Sequence, residues 1–259
     1  MRSAAAEWNG GDERTILGIR FFVGSAAEAV ERMGGGGLLV VPAAPALKDL
    51  GTKAGYREAL LQADVVIADS AYMVMIWNGL QRDSIRRLSG LEYLCELLKQ
   101  PEVRRPGETL WIMAGRKSAE RNLEWLRRQG VEVPEECVYQ APLYGEEEIE
   151  DVDLLERIHK VRPRHVILTL GGGTQERVGL YLKQRLDYLP SIHCIGAAIA
   201  FLSGDQVRIP RWADRMYLGW LFRSVSHPRR YAPRYWEARK LLYLLVRYRE
   251  RLPVPPASV

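Results

Sequence analysis

Along the chain, short runs of adjacent aliphatic residues alternate with stretches in which apolar positions recur every three or four residues. TILGIRFFVG from Thr15 and GLLVVPAAP from Gly37 read as strands, and between them SAAEAVERM reads as a short helix with Ser25 as its cap. The alternation continues with YREALLQA as helix and DVVIADS as strand, then LEYLCELLKQ as helix and TLWIMAG as strand. SAERNLEWLRRQG has a helical stripe with Ser118 as cap and Gly130 as stop, and EEEIEDVDLLERIHKV is a further helix. HVILTL, His165 to Leu170, stops at glycine and is a buried strand. It is followed by TQERVGLYLKQRL, with Val178, Leu182 and Leu186 on one stripe and Thr174 placed to cap the first turn. No internal repeat interrupts this order. Strands alternating with helices predict an α/β fold: a doubly wound, mostly parallel, Rossmann-like sheet covered on both faces.

After SIHCIGAAIAFLSG the pattern changes to helix, proline break and helix. The expected division is a loose leader over 1–14, an α/β core over 15–207 and a helical appendage over 208–259, which the core does not need for folding. Charge sharpens that division. Arg208 to Arg251 holds twelve Lys or Arg against three Asp or Glu, a segment charge of +9, whereas the whole chain carries +5. The same segment holds nine aromatics, among them Trp212, Trp220 and Trp236. A basic aromatic tail on an acidic body suits an anionic partner, or else an arginine-rich helix packed on the body. RYWEARKLLYLLVRYRER carries an apolar stripe that could insert at a membrane interface or pack on a neighbour.

Composition adds exclusions. The chain of 259 residues is 47% hydrophobic and 27% charged, as globular proteins are, and lacks a run of eighteen uncharged apolar residues. Its first residues lack the apolar centre of a signal peptide. Cys95, Cys137 and Cys194 are odd in number and far apart, which argues against a disulfide framework and fits a reducing cytoplasm. His159, His165, His193 and His227 lack metal-ligand spacing, so no zinc is expected.

The candidate chemistry sits where strands end. LTLGGGTQERVG, Leu168 to Gly179, is a strand, a glycine turn and a helix start; it is either a place where backbone N–H groups and the helix dipole hold an anionic or polar ligand, or a helix-start turn with no ligand. It matches neither the dinucleotide fingerprint, since Glu176 stands at the sixth position, nor the phosphate loop. Asp69 follows ADVVIA and is either a general base in the ligand crevice or the N-cap of the next helix. DVD, Asp151 to Asp153, has the form of a metal and diphosphate motif, but it opens a helix inside an acidic run and reads as a helix-start cluster.

Taken in order, these motifs resemble the bacterial WecG/TagA/CpsF glycosyltransferases over about Ile16 to Tyr235. GGGTQE is similar to the family's Gly-x-Pro-Lys-Gln-Glu, and Asp69, Arg87 and Gly90 fit its Asp-Gly and Arg-x-x-Gly. The C-terminal block matches at Gly196, Gly204, Arg208, Pro210, Trp212, Leu218, Trp220, Arg223, Pro228, Arg229, Arg230 and Arg234. The chain departs from the family at Pro42 to Ala44, where a Thr-x-Asn is usual, and at Ser70, Gly173, Thr174, Ala200 and Gly219. The resemblance implies inverting transfer from a nucleotide sugar, such as a UDP-sugar, to a polyprenyl-diphosphate-linked acceptor in surface polysaccharide synthesis. It makes Asp69 the base and puts Gly171, Gly172, Gln175, Glu176 and Arg87 at the donor. Arg208, Arg211, Arg223, Arg229 and Arg230 would serve the diphosphate or the acceptor. It further implies no metal or other cofactor, an anionic membrane surface as partner, a place on the inner face of the cell membrane, room for a homo-oligomer and no nucleic acid. A non-catalytic relative that binds a sugar nucleotide or a partner enzyme is the alternative.

Overall fold

The computed structural model describes residues 12–204 and 228–253. Six strands form one sheet: β3 Gly37–Val40, β4 Val65–Val66, β5 Thr109–Met113, β6 Val138–Gln140, β7 His165–Thr169 and β8 Ser191–Cys194. Their spatial order is β4-β3-β8-β7-β5-β6, and every pairing is parallel. The parallel, doubly wound reading therefore holds. β3, β4 and β5 are largely aliphatic because helices cover both faces and bury every residue of them, whereas the edge strand β6 is part-exposed.

Ahead of the sheet, the run expected to be one strand is a hairpin, β1 Glu13–Ile16 and β2 Ile19–Phe22. It begins inside the expected leader. Leu17 and Gly18 make the turn at φ 53° and 75°, positive at both central residues as a tight hairpin requires. A left-handed leucine costs about 1–2 kcal/mol, and here its side chain is buried. β2 continues the sheet beside β4 through a parallel bridge between Phe22 and Ile67.

The helices are α1 Ala26–Arg32, α2 Ala44–Leu47, α3 Ala54–Leu61, α4 Ala71–Gln81, α5 Gly90–Leu97, α6 Pro101–Arg104, α7 Arg116–Arg128, α8 Val152–Val161, α9 Thr174–Arg185, α10 Ala198–Ser203 and α11 Pro228–Tyr248. Ser25 caps α1 in a reciprocal pair with Glu28, as the sequence suggests. Ser118 does not cap α7, which starts two residues earlier with Gly115 at the cap position. One face of the sheet packs against α2, α3, α4, α8, α9 and the hairpin, and the other against α1, α5, α7 and α10.

The described part of the basic tail joins the first of these layers. Leu241 and Leu245 of α11 are fully buried in the same cluster as Met73, Val74 and Trp77 of α4. Just past the helix, Arg249 and Glu250 accept the Leu17 and Gly18 N–H groups at 2.7 and 2.8 Å. The end of the tail is thus built into the core rather than resting outside it. The two inward leucines contribute about 1.5–3 kcal/mol each, and Leu244 and Tyr248 pack half-buried against the same cluster.

Candidate active site

Because all six strands are parallel, their carboxyl ends and the following helix starts share one edge. β3 and β7 send α2 and α9 to one face of the sheet, while β8, lying between them, sends α10 to the other. Such divergent connections are where parallel α/β sheets leave a ligand crevice, and Asp69 and the Gly171–Gly172 turn both lie at this edge.

Asp69 stands just past β4. Ser70 Oγ accepts the Met73 N–H at 3.1 Å and caps α4, so the capping role left open for Asp69 falls to its neighbour. Asp69 instead meets Arg87, eighteen residues on. Arg87 Nε donates to the Asp69 carbonyl at 2.6 Å and Nη2 to Asp69 Oδ1 at 3.0 Å. The Gly90 N–H donates to the same Oδ1 at 3.3 Å. The two side chains are 23% and 14% exposed, so the pair is largely enclosed while the carboxylate still reaches solvent. Gly90 packs tightly here: a Cβ would lie 3.1 Å from Val41 Cγ1 and 3.4 Å from the Ile195 carbonyl oxygen. That closeness ties Asp69 to the ends of β3 and β8. Arg87, expected at the donor, has its Nε and Nη2 on Asp69, a geometry that holds the carboxylate in one orientation.

The glycine turn after β7 differs from expectation in two ways. Thr174 does not cap α9; Gly173 holds the cap position at φ 91°, and Glu176 Oε2 reaches back to accept its N–H at 2.6 Å. Gln175 and Glu176, expected to face the donor, are 2% and 0% exposed. The cause is Gly179, which brings α9 so close to the sheet that a Cβ there would lie 2.6 Å from Cys194 Sγ and 2.7 Å from Leu38 Cδ1. The first turn of α9 is drawn inward with it. Gln175 Oε1 accepts the Gly196 N–H at 2.7 Å, joining the end of β7 to that of β8, and its Nε2 donates to Glu176 Oε1 at 3.3 Å. Burial lifts the Glu176 carboxyl from the ordinary carboxylate range to about 7, against the pull of the N–H groups it accepts. What the crevice meets is the tip, Gly171 and Gly172, which is exposed and faces Ala46 of α2.

Of the remaining candidates, Arg208, Arg211 and Arg223 lie outside the described residues. Arg229 and Arg230 are on the first turn of α11, where only the backbone is described. Asp151 caps α8 and accepts from Tyr139, Tyr144 and the Leu154 N–H, so DVD is a helix start as read. No group of three or more His, Cys, Asp or Glu that could hold a metal occurs among the described residues. A concavity of about 340 Å3 lined by Arg14, Trp77 and Asp83 lies at the far end of α4, away from Asp69. Sequence reasoning missed a buried chain on the other face of the sheet. Tyr93 Oη and His193 Nδ1 are 2.8 Å apart, and His193 Nε2 and His165 Nδ1 3.2 Å. Burial lowers both histidines, His165 to about 4. Strand alternation could have signalled it, since positions 165 and 193 point to the same side of adjacent strands.

With this geometry in place, comparison with known families is decisive. The glycosyl transferase WecG/TagA/CpsF family matches residues 14–254. The chain belongs to this family. A search of curated proteins found no match. As a WecG/TagA/CpsF glycosyltransferase it works in cell-surface polysaccharide biosynthesis, with a nucleotide-sugar donor and an acceptor. No helix among the described residues is long and apolar enough to cross a membrane, although the family acts on membrane-associated substrates.

Proposed function

We propose that this family member moves a hexosyl or N-acetylhexosaminyl group, with inversion, from a UDP-sugar to a polyprenyl-diphosphate-linked acceptor. The observation that carries the reading is Asp69, a carboxylate at the strand ends fixed by Arg87 and the Gly90 N–H. Inversion in one step needs an acceptor hydroxyl to attack the anomeric carbon as the nucleotide leaves from the opposite face. Asp69 takes the hydroxyl proton, and its rigid mounting holds it in line. The diphosphate rests at the exposed Gly171–Gly172 tip, on the positive end of α9. Tail arginines, with Arg208, Arg211, Arg223, Arg229 and Arg230 as candidates, neutralise the leaving group without a metal.

The enzyme works at the inner face of the cell membrane, held there by its basic tail. On α11, Leu242, Tyr243 and Val246 are exposed next to Lys240 and Arg247, on the side away from the buried leucines. Each basic residue near an anionic surface adds about 1 kcal/mol, so vesicle binding should rise with anionic lipid and fall with salt. A second reading, a non-catalytic sugar-nucleotide binder, draws on Pro42 to Ala44. The residues after β3 offer no side-chain hydrogen bond where the family usually has Thr-x-Asn, and Ala43 at the start of α2 supplies no cap.

A panel of UDP-sugars tested for thermal stabilisation decides first. A donor at about a hundred times its dissociation constant adds about 2.7 kcal/mol, a shift of roughly 5–10 °C for a chain of this size. A panel without a shift removes the donor reading. A shift without transfer to lipid-linked acceptor selects the non-catalytic reading.

A further inference from the structure

Glu176 is a carboxylate with no exposure, set beneath the tip on which the proposed donor rests. Its partners are the Gly173 N–H, its own backbone N–H and the Gln175 amide, all on its own helix start. The titratable groups facing it are weak acids: Tyr56 from α3 and Cys194 from β8. Asp49 adds negative charge beside Tyr56. Tyr56 Oη is itself buried without a hydrogen-bond partner. Arg177, next in sequence, turns away to the carbonyls of Gly145 and Glu147. Among the described residues no Lys, Arg or His pairs with Glu176, which is rare for a fully buried carboxylate. Burial holds Tyr56 and Cys194 well above their usual ranges, so near neutral pH Glu176 alone of the three changes charge.

An anionic diphosphate arriving on the turn above would face this negative charge across a low-dielectric layer, and among the described residues no cation pairs with Glu176 to offset it, whatever the tail arginines do at the diphosphate itself. We propose that Glu176 is a positioning residue: it holds the glycine turn and Gln175 in place, and it takes up one proton from solvent when the donor binds. The proton settles on Oε1, which has the longer contact, while Oε2 keeps the Gly173 N–H. The turn then stays latched with its charge removed. This rests on the donor reading above, and it takes Glu176 out of direct contact with the sugar or nucleotide.

The test uses the full chain and Glu176→Gln, which keeps an oxygen for Gly173 and removes the charge. Binding of the best UDP-sugar of the panel is measured by calorimetry in buffers of different ionisation enthalpy. The sugar-linked diphosphate does not itself titrate near neutrality. Between pH 7 and 8 the parent should take up roughly half to one proton per donor bound, and Glu176→Gln none. Parent affinity should fall by up to about tenfold per pH unit above pH 7 while the variant stays flat. A merely structural Glu176 would instead make the variant weaker at every pH. No uptake in the parent, or uptake retained in the variant, overturns the proposal. A donor-free readout separates its failure from that of the donor reading. The carboxyl carbon resonance missing from Glu176→Gln should titrate near 7 in the free parent, and titration in the ordinary carboxylate range overturns the latch by itself. If the resonance titrates near 7 and no UDP-sugar binds, the donor reading has failed and the proton uptake falls with it.

Discussion

Removing the inward face of α11 should unfold the protein, contrary to the expectation that the core folds without its tail. Leu241 and Leu245 are fully buried one helical turn apart, against Met73, Val74 and Trp77. Truncating one such leucine to alanine costs about 2–5 kcal/mol, part of it for the cavity left behind. As the two share surroundings, the pair should cost roughly 4–8 kcal/mol, against about 5–15 kcal/mol for the whole stability of a typical domain. A chain ending before Pro228 loses both leucines and the two backbone bonds that anchor the Leu17–Gly18 turn. In urea titrations followed by circular dichroism, Leu245→Ala should lower the midpoint by about 1 M with an unchanged slope. The double variant and the truncated chain should have little or no folded baseline. A truncated chain that unfolds at the parent's midpoint would show that α11 merely rests on the core, and the reasoning from burial would be wrong.

Stability against pH has two opposed limbs. His165 and His193 are lowered by burial, so the folded state binds fewer protons than the unfolded state between about pH 4 and 6.5, and stability should rise with pH across that window. Glu176 is raised to about 7, so its folded form keeps a proton that the unfolded chain loses near 4.5. Its contribution should therefore fall as pH rises from about 4.5 through 7, by about 3 kcal/mol in all, of which only about 0.8 kcal/mol remains to be lost above pH 6.5. Denaturation between pH 6.5 and 8 should show the parent losing stability and Glu176→Gln level; an equal loss in both would assign the limb to another group. Gly173 has φ 91° with open space where a Cβ would go, so Gly173→Ala should cost about 1–3 kcal/mol through backbone strain alone and weaken donor binding. Gly171→Ala, with open space and no positive φ, should leave melting within a degree or two of the parent; equal losses in the two would contradict this account of the turn.

Most of the sheet was legible because β3, β4, β5 and β7 are largely aliphatic runs, as burial on both faces demands, whereas β6, VYQ at the part-exposed edge, carries no such run and was not read from the sequence. TILGIRFFVG was not legible as a hairpin. Its turn puts Leu17 in a left-handed conformation that its residue type disfavours, held by the end of α11 from the far end of the chain. Spacing could not bring Arg87 to Asp69, because the segment between them includes a whole helix; only the family resemblance put both in one site. Nor could a polar pair at a helix start announce its own burial. Gln175 and Glu176 look solvent-facing in sequence, and what turns them inward is the contact of Gly179 with Cys194 and Leu38 on neighbouring strands.

Asp69→Asn tests the central claim most directly. Asparagine keeps an oxygen for the Gly90 N–H and loses the charge that meets Arg87, so the fold should survive, as melting of the variant will show. Formation of glycosylated lipid and release of UDP should then be followed on a polyprenyl-diphosphate-linked acceptor at saturating donor, with donor affinity measured on the same samples. The account predicts turnover lower by about two to four orders of magnitude, a barrier raised by roughly 3–5 kcal/mol, with donor affinity nearly unchanged. Turnover equal to that of the parent in a folded, donor-binding variant would contradict it and remove Asp69 from the chemistry.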